Sequence, residues 1–369
     1  MRAVAVILFL VLVGACRNQV PKEPVKEILP GKPEANLVLE KPPKLLEEGT
    51  FHLEEEAFGK IVELTGKCKS VKEIFRVTES EMLVKDDLLI LKNRIDPNMF
   101  MLYKLPELKL IRSFGKMGQG PGEFTYPSLV SSEERDRLFY IFEGTKGRIY
   151  YLDHENKIGE LPFKLPDFLS GETQAHFLND HELVYAAGIP KGKAIFYANY
   201  SGGQVAHKQV YELSFSKKHR NWGAYLGCFA ASKKRNRLVY VYKYFKRLVF
   251  LNLAANMVRI VEFAGAGPKA GDVVSMMSPE HVTHYWTLSA GEKYLYLSYS
   301  GRTPLQVMKE IKNSNGYIFI EQFDWNGNPI RKFRLDHWGR FCVDEKNSKL
   351  YLLSITEDDP FVVYDLPKI

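Results

Sequence analysis

The chain has 369 residues, 45% hydrophobic, 26% charged and 13% aromatic, which excludes wholesale disorder and a Gly-X-Y fibre. That length exceeds one ordinary domain, although a single large all-β domain can run this far. Its 51 Lys and Arg are interleaved with 44 Asp and Glu, so the formal charge of +7 supplies no concentrated basic stripe for a nucleic-acid partner.

Residues Met1 to Cys16 read MRAVAVILFLVLVGAC. One basic residue, an apolar run from Ala3 to Val13 and a small-residue close form the layout of a secretory signal. The run is too short for a membrane span, which needs about 20 residues. Val13-Gly14-Ala15-Cys16 resembles the lipobox of bacterial lipoproteins, which implies cleavage after residue 15 and acylation of Cys16, with palmitate among the chains. An ordinary secretory signal with a chance cysteine is the alternative. Arg17 to Thr50 then carries six prolines and many charges, a composition that cannot bury enough apolar surface to offset its ordering entropy. Residues 16–57 are expected to form a lipidated tether, with acyl chains contributing about 0.8 kcal/mol per buried methylene. The absence of an acidic run after Cys16 favours a periplasm-facing outer-membrane anchor, with surface exposure left open. Removing Cys16 leaves Cys68, Cys228 and Cys342. Three buried, unpaired thiols are expected; one bridge and one free thiol is the alternative.

From about residue 58 the chain is a succession of short Val/Ile/Leu/Tyr/Phe runs broken by turn residues, such as Arg137–Phe142, Arg148–Leu152, Arg237–Tyr242 and Lys349–Leu353. Runs of this length and composition suit strands. Thr303 to Asn313 is the one stretch predicted to be helical. A strand ending near Asp or Asn recurs at Tyr103-Lys104, Leu152-Asp153, Ala198-Asn199, Leu251-Asn252, Phe323-Asp324 and Tyr364-Asp365. Spacings of 40 to 55 residues dominate, with one long interval in the fifth repeat, a period that signals a propeller of four-stranded blades. The reading is all-β: a six-bladed β-propeller over 58–369. A seventh blade is the alternative if the long interval hides extra strands. The chain ends after three strands of the last repeat, so an N-terminal strand must close the ring, and Lys60 to Leu64 is the candidate.

Ser113-Phe-Gly-Lys-Met-Gly-Gln-Gly-Pro-Gly-Glu-Phe124 and Phe323-Asp-Trp-Asn-Gly-Asn-Pro329 resemble the TolB-like six-bladed β-propeller lipoproteins, abundant in anaerobic Gram-negative gut bacteria. The resemblance spans the body and the signal. It implies a propeller and an anchor but brings no catalytic set.

The Gly118, Gly120 and Gly122 cluster is not a phosphate loop, which wants Gly-Lys-Ser/Thr opening a helix; it reads as a tight inter-blade connection. On a strand, His281 and His284 point to opposite faces, and with His337 they complete no recognisable ligand set, so no metal and no cofactor is expected. The starts of the innermost strands fall at Tyr126-Pro127, Gln174 to His176, Tyr225-Leu226, His284-Tyr285 and Gly339-Arg340, without converging carboxylates for a calcium cage. No Gly-x-Ser-x-Gly elbow is present. The expectation is a non-catalytic binding or scaffold propeller of the cell envelope, with a monomeric body. Its candidate ligand-binding residues are Tyr126, His176, Trp222, His284, Tyr285, Trp286, Trp338 and Arg340 at one axial mouth, with residues 300–316 lying over it. Aromatic rings with polar partners suit a glycan, an envelope polymer or a partner protein; for the three tryptophans, packing between blades is the alternative. The rival function is a metal-dependent periplasmic hydrolase or lactonase with its site on the axis.

Overall fold

The computed structural model describes residues 46–368 apart from 96, 134–135, 156, 166–173, 266, 270, 272–277 and 314. The expected signal, Cys16 and most of the tether lie outside the described residues. No helix among the described residues is long and apolar enough to cross a membrane.

Six antiparallel blades follow one another. Their innermost strands are Glu81–Lys85, Pro127–Ser132, Gln174–Asn179, Gly227–Ser232, Thr283–Ala290 and Gly339–Asp344. Each innermost strand neighbours the next, and the sixth neighbours the first, so the ring is closed. Blades two and three come close enough for parallel pairing, Ser131 opposite His176 and Ser132 opposite Phe177. Six apolar clusters fill the six inter-blade spaces. The middle strands are covered on both faces, and Arg237–Tyr242 is buried throughout. The outer strand Val258–Phe263 instead alternates, burying every second side chain, as a sheet with one covered face requires.

The recurring Asp or Asn has a physical role. Asp153 Oδ1 accepts from Lys157 N at 2.7 Å, Asn252 Oδ1 from Asn256 N at 3.0 Å, and Asp324 Oδ1 from Asn326 N and Asn328 N at 2.8 and 2.9 Å. These side chains hold the tight turns leading to the outermost strands. Among the described residues, the long fifth interval holds no extra blade. It contains the helix Pro304–Lys312, opened by a Thr303–Gln306 capping box with Pro304 at its start, between the second and third strands of blade five. The glycine cluster joins blades one and two as a compact loop, where Gly122 has φ 70° and Glu123 Oε2 accepts from Gly120 N at 2.9 Å.

Three expectations need correction. The body begins before residue 58: Leu46 is buried and Gly49–Leu53 pairs parallel to the outer strand of blade four. Phe58 then inserts between blades four and five, stacked on Phe263 and edge-on to Phe323 at 5.8 and 5.2 Å. Second, Val62–Leu64 is a fifth, parallel strand on blade five, and Lys67–Lys69 closes blade six against Phe361–Asp365. The closing strand is exposed at every position, so it has no apolar alternation to betray it. Val62 and Leu64 do have that alternation, and they spend it on the cluster between blades five and six. Third, none of the three described cysteines is in a disulfide, but only Cys342 is buried; Cys228 is half-buried and Cys68 exposed.

Candidate functional site: the upper mouth of the axis

Because the strands of a blade alternate in direction, the starts of the innermost strands share one face with the second-to-third-strand loops and the blade-to-blade connections. We term this the upper face. It opens into a cavity of about 500 Å³, while a second cavity of about 820 Å³ opens at the opposite end of the innermost strands.

Four of the eight expected residues line the upper mouth: Tyr126, Tyr285, Trp286 and Arg340. Tyr126 is exposed, with the Arg94 guanidinium 4.4 Å from its ring centre. Two cations approach the Trp286 ring, with Lys243 Nζ 4.8 Å and the Arg340 guanidinium 5.9 Å from the ring centre. Arg340 also donates to the Thr78 carbonyl oxygen at 3.2 Å. Tyr285 is buried in the wall, and its hydroxyl donates to Glu321 at 2.7 Å.

The other four lie elsewhere. Trp338 is buried edge-on to Trp286, 5.6 Å between ring centres, and supports the mouth from behind. Trp222 opens the short 3-10 helix Trp222–Tyr225 and lines neither cavity. His284 is buried, stacks on Tyr299, and has its imidazole pKa pushed down to about 4 by burial and then by Lys246. His176 lines the opposite cavity. The helix Pro304–Lys312 packs Val307 into the cluster between blades five and six and lines neither cavity.

Apart from Arg340, sequence reasoning missed the charged part of the mouth. Glu79, Glu81, Lys92, Arg94 and Lys243 all line it. Glu81 stands at the start of the innermost strand of blade one, whose upper end had not been assigned. Both carboxylates are engaged: Glu81 with Lys92 at 2.5 Å and with the Leu129 N–H at 2.7 Å, Glu79 with Arg94 at 2.8 Å. Lys92 and Arg94 come from the second strand of blade one and the turn after it, and Lys243 from the turn after the second strand of blade four. No signal confined to innermost strands could have found them. Four cations therefore face two carboxylates. Three buried polar atoms of lining residues, Gln174 Oε1, Trp286 Nε1 and Thr287 Oγ1, have no hydrogen-bond partner among the described residues.

One pair has the look of a nucleophile and base. Ser131 Oγ lies 2.6 Å from His176 Nδ1. Burial, with Lys85 adding to it, drives the His176 pKa down to about 3. An imidazole that weakly basic cannot usefully take a proton from a serine near neutral pH. Its neighbours make it a structural bond between blades two and three.

The TolB-like 6-blade propeller-like family model matches residues 57–346. No curated protein matches the chain. Among solved structures, a member of the DUF4221 family from Bacteroides vulgatus is similar with a TM-score of 0.59 at 13% identity, covering 84% of this chain and 99% of that one. A putative exported protein from Bacteroides fragilis is similar with a TM-score of 0.47 at 11% identity, covering 84% and 100%. With six blades closed by an N-terminal strand and the family match spanning most of the body, the chain belongs to the TolB-like six-bladed propeller family.

Proposed function

We propose that this protein is a lipid-anchored binding propeller of the bacterial cell envelope, and that its upper mouth takes a ligand carrying a ring face and negative charge, such as an acidic glycan or envelope polymer. The observation that carries the reading is Trp286: an aromatic face with Lys243 and Arg340 close to it, where its own buried Nε1 and the nearby Gln174 Oε1 and Thr287 Oγ1 lack partners among the described residues. Native proteins seldom leave such atoms unpaired, and a sugar offers both a flat apolar face and hydroxyls to meet them. Anchoring rests on Met1 to Cys16 and the proline-rich stretch after it; acylation of Cys16 and a periplasm-facing outer-membrane address belong to the same proposal.

The hydrolase alternative is less well supported. Glu79 and Glu81 are held by Arg94 and Lys92, and a mouth where cations outnumber carboxylates repels a divalent ion. The test is tryptophan fluorescence titration of the full chain in detergent against uronic-acid oligosaccharides, peptidoglycan fragments and neutral oligosaccharides. Saturable binding by an acidic member, weakened by salt and by Arg340→Ala, is expected. Binding of neutral sugars alone would remove the charge argument. No binding by any member, with acidic proteins held instead at this mouth, would make the occupant a partner protein.

A further inference from the structure

Away from the mouth, three residues distant in sequence converge where the ring is closed. Cys68 lies in the closing strand Lys67–Lys69. His337 lies in the connection between blades five and six, and Glu357 in the loop between the second and third strands of blade six. One donor atom from each lies within 4.8 Å of the other two, and His337 Nε2 is 3.6 Å from Glu357 Oε1. In a tetrahedral zinc site with ordinary bond lengths, neighbouring donor atoms are about 3.3–3.6 Å apart. The histidine and glutamate already meet that spacing. Cys68, on an exposed side chain free to rotate, needs only to close the remainder.

A second, independent observation concerns the far side of the imidazole. His337 Nδ1 is 2.7 Å from Asp336 Oδ1 and 3.0 Å from the Tyr364 hydroxyl. A carboxylate on Nδ1 fixes the proton there and leaves the Nε2 lone pair facing Glu357, the arrangement that second-shell carboxylates impose on zinc-binding histidines. Asp336 is itself positioned by the Gly66 N–H and by the Tyr364 hydroxyl, at 3.2 and 2.8 Å from its Oδ1. Thr356 Oγ1 donates to Glu357 Oε1 at 3.0 Å, so that ligand too is oriented.

We propose that Cys68, His337 and Glu357 form a zinc site that staples the closing strand to blade six. The thiolate and the carboxylate balance the two charges of the ion, the thiol proton leaves to solvent, and water completes the coordination. The site is structural, and the proposal stands apart from any ligand at the mouth. Sequence order concealed it: the ligands are 269 and 20 residues apart, and none shares a Cys-x-x-Cys or His-x-x-His spacing.

The experiment titrates zinc chloride into the chelator-treated full chain in detergent by calorimetry, and repeats it with Cys68→Ser and His337→Gln. Cobalt(II) is then used as a spectroscopic probe. One ion per chain is expected, with thiolate-to-cobalt charge transfer, and each substitution should weaken zinc binding by about 100-fold or more. Cys68 is exposed, so the serine variant will fold. Even if the histidine variant does not, zinc should protect Cys68 of the unmodified chain from alkylation. No binding, binding unchanged in Cys68→Ser, or alkylation unaffected by zinc would overturn the proposal.

Discussion

Replacing Glu321 by Gln should be among the most damaging conservative changes in this propeller. Glu321 is fully buried between blades four and five. It accepts from Lys332 Nζ at 2.9 Å and Tyr285 Oη at 2.7 Å, and Lys246 Nζ is 3.5 Å away. Both lysine side chains are almost wholly buried, 2% and 6% exposed, and their other carboxylate is Glu55, from the N-terminal arm, which reaches both. Two cations and two anions are balanced. Glutamine preserves the shape and the hydrogen-bond acceptor but leaves one buried positive charge uncompensated. Breaking a buried pair from one side costs about 3–5 kcal/mol. With unfolding entropy near 2.1 cal/mol/K per residue, a body of roughly 320 residues should lose about 4–7 °C in Tm. Glu55 is half exposed, so water can partly replace it, and Glu55→Gln should cost only about 1 kcal/mol. Urea unfolding of the three proteins measures this directly, with m unchanged. A Glu321→Gln loss below about 1 kcal/mol, or equal losses for the two variants, would refute the assignment of the buried charge balance to Glu321.

Two of the buried histidines, His176 and His284, make stability depend on pH. Burial depresses His176 to about 3 and His284 to about 4, so the unfolded chain binds more protons below its own pKa of 6.5. Stability is therefore full above about pH 6.5 and falls as pH drops toward those folded values, by roughly 2 kcal/mol per histidine between pH 6.5 and 5. His176→Asn should flatten that slope in calorimetry, and an unchanged slope would count against it. At lower pH a second loss should appear. Burial works to raise the Glu55 pKa, but the hydrogen bonds from Lys246 and Lys332 outweigh it and hold it below 4.5; its contribution is present above that value and lost as pH falls through the folded pKa, and Glu55→Gln should abolish that step. Gly227→Ala tests the tightness of the ring. A Cβ there would lie 2.1 Å from the Val241 carbonyl oxygen, and Gly339, at the same place in blade six, would meet Leu353 O at 2.0 Å. Each substitution should destabilise by about 1–3 kcal/mol through backbone displacement, read as a shift in the urea midpoint; a neutral result would show that the strand starts are not packed this closely.

The hairpins were legible because their turn residues do local work. Asp153, Asn252 and Asp324 each hold the turn that follows, so the repeat shows in sequence without any knowledge of neighbouring blades. The arm was not legible in the same way. Val62 and Leu64 resemble a strand and form one, but on blade five; Lys67–Lys69 lacks any apolar pattern and is selected by the open edge of Phe361–Asp365. At the mouth, proximity to the start of an innermost strand found Tyr126, Trp286 and Arg340 but could not separate Trp286 from Trp338. The two rings contact each other, and only one lines the cavity. The other three cations, Lys92, Arg94 and Lys243, come from second strands and the turns after them, outside the innermost-strand pattern. Cys68, His337 and Glu357 are united only by ring closure.

The most direct test of the binding reading places a photo-activated cross-linking residue in the full-length protein in cells, at Tyr126 on the upper mouth and separately at Glu292, which lines the opposite cavity. The result expected is a discrete envelope adduct at position 126, reduced when Lys243 and Arg340 are both changed to Ala, and little or none at 292. Equal adducts at both positions, or an adduct at 126 indifferent to loss of the two cations, would contradict a ligand held at the upper mouth.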